Sequence, residues 1–285
     1  MSCFNFLRIF CFPPCYNAVV RKFAFHPPKC TYKLAKITGT RNTYHMVLRQ
    51  GKKPAYSEAV RSIECYLVET KRKNRIVCMY VKCVKEPKFT ILFSHANACD
   101  LGQIAKSLLQ LGTKLQCNIV AYDYSGYGKS TGVPSEKHIY SDIEAVLVSM
   151  RKRYGIPDNK VIAYGWSIGC APTIHLASKV KLRAVVIHSG FTSGMDVLCR
   201  SDGKVKWCCN PFNSIDKVPK VTSPVLVIHG MEDEVIDFAH GLAIYERCPR
   251  AVEPLWVEGA GHNDVELYGQ YVERLKQFVS VELVN

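Results

Sequence analysis

The sequence predicts an α/β fold, in which an eight-stranded, mainly parallel sheet is flanked by helices and carries a minimal cap. Short continuous apolar runs alternate with amphipathic stretches, and a Gly-x-Ser-x-Gly motif joins one apolar run to the stretch after it. Apolar runs without polar alternation are typical of strands that helices cover on both faces, as in parallel sheets. The 285 residues are enough to bury a substantial core in one such domain.

Eight segments have strand character, and the first two flank a turn rich in Lys and Arg, which predicts a hairpin. The predicted strands cover residues 62–69, 75–84, 89–94, 118–124, 161–166, 183–188, 224–229 and 254–258. The predicted helices cover residues 101–115, 135–154, 168–179, 235–248 and 264–281. Asp100 and Ser135 are suited to begin the first two helices, and Gly155 to end the second. Periodicity weakens between Phe191 and Val221, where we expect the small cap.

Charge is distributed unevenly along the chain. The net charge is +14, and residues 1–90 hold 18 Lys and Arg against 4 Asp and Glu, so they account for the whole excess. We divide the chain near residue 60, into a Cys-rich, basic N-terminal segment (1–60) and a catalytic domain (61–285). A basic segment attracts nucleic acid or an anionic membrane surface. No zinc-finger spacing or RNA-binding signature is present, so we expect a membrane surface and no nucleic acid.

The 14 cysteines are scattered, and many lie inside apolar runs, where a free thiol packs as a small hydrophobe. No secretory signal is evident, and no apolar run approaches the roughly 18 residues that a membrane span needs. These features indicate a reducing, cytosolic environment with mostly free thiols. No paired Cys/His spacing resembles a zinc site, so we expect neither a metal ion nor an organic cofactor.

The Gly165–Gly169 segment carries the pattern of a nucleophile elbow. Ser167 stands between the two glycines, directly after a predicted strand and before a predicted helix. A serine hydroxyl is a weak nucleophile, and a sharp strand-to-helix turn exposes it to a base. The sequence therefore predicts a serine hydrolase of the α/β-hydrolase fold, with Ser167 as nucleophile.

In this fold the acid and then the histidine follow the serine along the chain. His262 lies in a glycine-rich loop after the last predicted strand, where the general base is expected. The acid should follow the strand at 224–229, and we favour Asp233; Asp237 and the neighbouring glutamates are the alternatives. The oxyanion hole should use two backbone N–H groups. We assign them to Ile168, directly after the nucleophile, and to Asn97, in the loop after the strand at 89–94.

The chain resembles the α/β-hydrolase domain-containing protein 17 family of palmitoyl-protein thioesterases over nearly its whole length. The segments that carry the resemblance are residues 95–100, 122–130, 165–169, 229–237, 259–266 and Phe25-His26-Pro27-Pro28. One departure is Ala96, where the family commonly has glycine. The resemblance implies the triad Ser167, Asp233 and His262, and S-palmitoylated membrane proteins as substrates.

The N-terminus contains Cys3, Cys11 and Cys15 among Phe and Leu side chains. S-acylation of these cysteines, together with the basic segment, would hold the protein peripherally on the cytoplasmic face of the plasma membrane or endosomes. Cys30 is a further candidate for acylation. The alternative is a docked apolar arm with buried thiols.

The triad alone does not select the substrate, because the same groups cleave oxygen esters. The alternative function is therefore a lipase or esterase that acts on membrane acylglycerols or lysophospholipids. A non-catalytic scaffold is a further alternative. The sequence leaves the acylated substrate proteins, the preferred chain length and the oligomeric state open.

Overall fold

The computed structural model describes residues 20–48, 63–199 and 210–284. These residues contain one ten-stranded sheet with the strand order β1-β2-β3-β4-β6-β5-β7-β8-β9-β10. The strands are β1 (Tyr32–Lys36), β2 (Tyr44–Leu48), β3 (Glu64–Glu69), β4 (Arg75–Val81), β5 (Thr90–Ser94), β6 (Asn118–Tyr122), β7 (Val161–Trp166), β8 (Ala184–His188), β9 (Val225–Gly230) and β10 (Leu255–Val257).

Strands β5 to β10 pair parallel with one another, whereas β1 to β4 pair antiparallel with one another and β4 joins β6 antiparallel. The register aligns Ser94 at the end of β5 with Gly165 near the end of β7. The loop after β5 and the Gly-x-Ser-x-Gly turn after β7 therefore leave the sheet side by side, at the edge where ligands of open α/β sheets bind.

The helices that accompany the sheet within the described ranges are α1 (Leu101–Leu115), α2 (Glu136–Tyr154), α3 (Cys170–Ala177), α4 (Gly194–Cys199), α5 (Phe238–Arg247) and α6 (Gly269–Gln277), and residues 20–24 are also helical. Asp100 caps α1 in a capping box with Gln103, and the Ser135 side chain accepts the His138 N–H at the start of α2. Gly155 ends α2 in the left-handed region with φ 64°. All three predicted helix boundaries are therefore confirmed.

The eight predicted strands correspond to β3 to β10. Strands β1 and β2 were not predicted, and they extend the sheet from residues that precede the expected boundary near residue 60. Helix α3 begins at Cys170 because Ser167–Gly169 form a 3₁₀ turn, and α5 begins at Phe238 because Asp237 caps it. The predicted C-terminal helix is divided into a 3₁₀ turn (Val265–Leu267), α6 and a π-helical segment (Phe278–Glu282).

Apolar layers fill both faces of the sheet. One face packs against α1 and α6 through side chains such as Ile104, Leu108 and Leu275, and the other packs against α2 and α3 through Ile143, Val146 and Ala171. No helix in the described ranges is both long enough and apolar enough to cross a bilayer. The predicted cap region contributes α4 and residues 210–221, which lie beside the turn that carries Ser167.

Candidate active site

Ser167 occupies a strained turn between β7 and α3. Its φ is +54°, in the left-handed region that side chains other than glycine rarely adopt. The flanking glycines are required by close contacts: a Cβ on Gly169 would come 2.2 Å from the Ser94 carbonyl oxygen, and one on Gly165 would come 2.6 Å from the Gly169 oxygen. The sequence pattern therefore has the structural context of a nucleophile elbow.

The structure brings Ser167, His262 and Asp233 together in the predicted order. The Ser167 hydroxyl lies 2.9 Å from His262 Nε2, and His262 Nδ1 donates to Asp233 Oδ2 at 2.7 Å. All three side chains are mostly buried, with residue exposures of 8%, 5% and 8% for Ser167, His262 and Asp233. Because Nδ1 holds the proton that faces the carboxylate, Nε2 is free to accept the serine proton.

Asp233 is held as a carboxylate by several donors. Its Oδ1 accepts the Val235 N–H at 2.9 Å and the Ile236 N–H at 2.7 Å. His229 Nε2 lies 3.3 Å from Oδ2 and also donates to the Ile236 carbonyl at 2.9 Å. Burial raises the pKa of Asp233, but the hydrogen bonds from His229, His262 and Ile236 outweigh it and lower the pKa below its usual value. Asp233 is therefore ionised at neutral pH.

The alternative acids, Asp237, Glu232 and Glu234, do not contact the His262 imidazole. Asp237 caps α5 by accepting the Ala239 N–H at 2.9 Å, and Glu232 is exposed. Glu234 accepts the backbone N–H of His262 at 3.3 Å, so it contacts the histidine loop but not the imidazole. Among these acids, Asp233 is the one whose carboxylate the structure places against His262 Nδ1.

The loop after β5 is fixed by His95, which is fully buried. His95 Nδ1 donates to the Ala96 carbonyl at 2.8 Å, and the Tyr124 hydroxyl donates to the His95 carbonyl at 2.5 Å. No cis peptide bond occurs in the described chain, so the carbonyl of Ala96 and the N–H of Asn97 point in opposite directions. The Asn97 N–H therefore points away from the His95 ring, and Ala96, Asn97, Ser167 and Ile168 line one pocket.

That pocket has a volume of about 520 Å³ and opens beside Ser167 and His262. Its wall is mainly apolar and comes from the residues before β1, of which 20–24 are helical, from the cap region and from the loop after β9. The apolar lining residues from these three segments are Val20, Phe23, Ala24, Phe191, Met195, Val197, Leu198, Pro211, Phe212, Val235 and Ile236. An apolar pocket of this size beside a nucleophile is suited to a hydrocarbon chain.

Two contributors to the site were not predicted. His229, the penultimate residue of β9, contacts the Asp233 carboxylate. The available signal was a polar residue near the end of a buried strand, four positions before an acid. The residues before β1 supply part of the pocket wall, and no local pattern in the sequence marks this contact.

Cys170, three residues after Ser167, is fully buried with its thiol against the Gly165 and His188 carbonyl oxygens at 3.2 and 3.3 Å. Burial raises the pKa of this thiol well above its usual value, so it remains protonated. Within residues 20–48, 63–199 and 210–284, no group of three or more His, Cys, Asp or Glu side chains is arranged to hold a metal ion. Cys3, Cys11 and Cys15 lie outside the described residues, whereas Cys30 is a half-buried free thiol.

The chain is similar to known families and proteins. A family model described as Phospholipase/Carboxylesterase matches residues 134–281, which include Ser167, Asp233 and His262. A second model, described as Chlamydia CHLPS protein, matches residues 78–182. α/β-Hydrolase domain-containing protein 17B of Homo sapiens is 54% identical over 278 residues, which cover 97% of this chain and 96% of that protein.

The chain belongs to the α/β-hydrolase domain-containing protein 17 family. Protein 17B of Xenopus laevis is also 54% identical over 278 residues, and protein 17C of Mus musculus is 48% identical over 302 residues, with 97% of this chain and 94% of the mouse protein covered. The resemblance inferred from the sequence is confirmed. The protein is therefore a hydrolase of the serine-hydrolase superfamily.

Solved structures share the fold at low sequence identity. An esterase of Pyrococcus furiosus, Pf2001, has a TM-score of 0.65 and 18% identity, covering 81% of this chain and 96% of the esterase. An α/β serine hydrolase homologue of Coxiella burnetii has a TM-score of 0.59 and 18% identity, covering 75% of this chain and 95% of the homologue. These likenesses confirm the α/β-hydrolase fold of this member of the protein 17 family.

Proposed function

We propose that this protein removes palmitate, or a similar long acyl chain, from S-acylated cysteines of membrane-associated proteins. The observation that carries the proposal is the connection between the Ser167–His262–Asp233 hydrogen bonds and an apolar pocket of about 520 Å³. A nucleophile at the mouth of such a pocket attacks the carbonyl of a chain that the pocket holds.

In the proposed reaction, His262 Nε2 takes the proton of Ser167 as Oγ attacks the thioester carbonyl carbon. The Asp233 carboxylate stabilises the imidazolium, and the Ile168 and Asn97 N–H groups bind the oxyanion. The carbon–sulfur bond breaks, and the substrate cysteine leaves with the proton from His262. Water then attacks the acyl-serine, again with His262 as base, and releases the fatty acid and Ser167.

The pocket supplies the selectivity for long chains. Each methylene that leaves water for an apolar environment contributes about 0.8 kcal/mol. The pocket lining has few polar groups apart from those beside Ser167, so binding energy in this pocket comes mostly from chain length. The proposal therefore assigns the long acyl group to the pocket and the polypeptide part of the substrate to the surface outside it.

We also propose that Cys3, Cys11 and Cys15 are S-acylated and hold the enzyme on the cytoplasmic face of the plasma membrane or endosomes. The support is the clustering of these cysteines among aromatic side chains and the basic excess of residues 1–90. S-acylated proteins and an anionic membrane surface are the proposed partners, because enzyme and substrate then share one surface.

A second candidate function is hydrolysis of membrane acylglycerols or lysophospholipids. It is favoured by the match of residues 134–281 to the Phospholipase/Carboxylesterase family model. The same triad can cleave oxygen esters and thioesters, so the distinction between the two functions depends on the group that leaves.

The test compares kcat/KM for an S-palmitoylated peptide, a monoacylglycerol and a lysophospholipid, using wild-type protein and Ser167→Ala. The proposal expects the palmitoylated peptide to have the highest kcat/KM and Ser167→Ala to lose all three activities together with labelling by a fluorophosphonate probe. A higher kcat/KM for either lipid would support the second function instead, and full labelling of Ser167→Ala would show that another residue is the nucleophile.

A further inference from the structure

The residues before β1 are fastened to the loop that carries the proposed oxyanion donor. We call residues 20–26 the N-terminal arm. The Asn97 side chain holds the arm at two points: its Nδ2 donates to the Ala24 carbonyl at 3.0 Å, and its Oδ1 accepts the His26 N–H at 3.0 Å. The Tyr127 hydroxyl donates to the same Oδ1 at 2.7 Å, which fixes the orientation of the amide.

Aromatic packing holds the arm on its other side. Phe25 is 4% exposed, and its ring meets the Phe212 ring edge-on with a centroid distance of 5.6 Å. Phe212 itself lines the pocket. The arm therefore lies between the loop after β5 and the cap region, with contacts to both.

The arm contributes Val20, Phe23, Ala24 and His26 to the pocket lining. We infer that the N-terminal arm is the wall that determines which acyl chain lengths the enzyme accepts, and that the Asn97 side chain is the positioning group that keeps this wall closed. The inference rests on the proposed acyl pocket. Asn97 would thus have two tasks: its backbone N–H is the proposed oxyanion donor, and its side chain holds the arm beside the bound acyl chain.

The arm would strengthen binding by shielding the methylenes of the acyl chain from water. Each methylene that the wall shields from water is worth roughly a fourfold gain in binding, which follows from the transfer free energy of one methylene. Ala24 is the smallest side chain among the arm residues that line the pocket, so a larger side chain at this position shortens the space for the chain. Moving the whole wall away exposes the chain to water instead.

The first test substitutes Ala24→Leu and measures kcat/KM for p-nitrophenyl butyrate, octanoate and dodecanoate. We expect the ratio of dodecanoate to butyrate activity to fall at least tenfold, because the leucine occupies space that the distal methylenes need. Ala35→Leu is the matched control, since Ala35 is an exposed alanine on β1 that does not line the pocket, and its ratio should equal that of wild type. Because the readout is a ratio within one variant, partial unfolding does not imitate it.

The second test substitutes Asn97→Ala, which keeps the backbone N–H and removes both side-chain bonds to the arm. We expect the ratio of kcat/KM for dodecanoate to kcat/KM for butyrate to fall about tenfold. For dodecanoate, the increase in KM should be larger than the decrease in kcat. A ratio unchanged in Ala24→Leu would overturn the inference. So would an equal loss for all three esters in Asn97→Ala, because that result would mean the side chain supports only the oxyanion loop.

Both tests use oxygen esters, which separates this inference from the proposed function. A protein that ignores palmitoylated peptides but changes its chain-length ratio as described would contradict the thioesterase proposal and support the arm as the wall. If wild-type protein hydrolyses palmitoylated peptides but both variants keep the wild-type dodecanoate-to-butyrate ratio, the thioesterase proposal is supported and the role of the arm is contradicted.

Discussion

Replacing Asp233 by asparagine should stop proton transfer while leaving the fold intact. Oδ1 of Asp233 accepts the Val235 and Ile236 N–H groups at 2.9 and 2.7 Å, so the asparagine oxygen must remain on that side. The amide NH₂ then faces His262 Nδ1, which has to accept a hydrogen bond instead of donating one. The imidazole proton moves to Nε2, which faces Ser167 and can no longer take its proton.

The expected loss is about 10⁴-fold in kcat, the size found for the equivalent change in a serine protease, or about 5 kcal/mol of transition-state stabilisation. Asp237→Asn is the matched control. Asp237 caps α5 through the Ala239 N–H, and asparagine caps helices as well as aspartate does, so its kcat should remain within about twofold. The assay is hydrolysis of a soluble p-nitrophenyl ester, with thermal unfolding measured for each variant. The assignment of the acid is refuted if Asp237→Asn is the more damaged enzyme.

Two further predictions concern stability and location. Burial raises the pKa of Asp142 to about 7 from 3.8, so the fold retains a proton that the unfolded chain releases, and wild-type stability declines as pH rises across that interval. Asp142→Asn can keep the contacts with Ser125 and lacks this ionisation. The difference in unfolding free energy between the variant and wild type should therefore shift in favour of the variant by up to about 1.4 kcal/mol for each pH unit across that interval, as measured by denaturant titrations. A difference that stays constant with pH would contradict the raised pKa of Asp142. Replacing Cys3, Cys11 and Cys15 together by serine should move the enzyme largely to the soluble fraction and keep soluble-ester hydrolysis, as fractionation and assay will show. Loss of ester hydrolysis would mean that these cysteines support the fold.

The sequence predicted those elements whose signals are local. Strands β3 to β10 are apolar runs, and the caps at Asp100, Ser135 and Gly155 follow from residue type and position. Strands β1 and β2 were missed because they carry weak signals: β1 has the sequence YKLAK, with one fully buried side chain and exposed lysines, as edge strands commonly have. Its place in the sheet depends on pairing with β2, which sequence periodicity does not report.

In the candidate site, too, local sequence signals identified some features, and others depend on contacts between distant segments. Ser167, Asp233 and His262 were assigned because chain order and loop position identify them in this fold. The contact between Asn97 and the N-terminal arm joins residues 71 positions apart, and no local pattern marks it. The pocket wall is assembled from segments distant in sequence, so its volume and apolar character appear only when the chain is folded.

The proposed reaction requires Ser167 to carry the acyl group of a palmitoylated protein during turnover. Mixing wild-type enzyme with an S-palmitoylated peptide, quenching with acid at early times and mapping the digested enzyme by mass spectrometry tests it directly. This reaction places palmitate on the peptide that contains Ser167, bound through the serine oxygen, and it yields neither an adduct nor released palmitate with Ser167→Ala. Palmitate on Cys170, or turnover by Ser167→Ala at the wild-type rate, would contradict it.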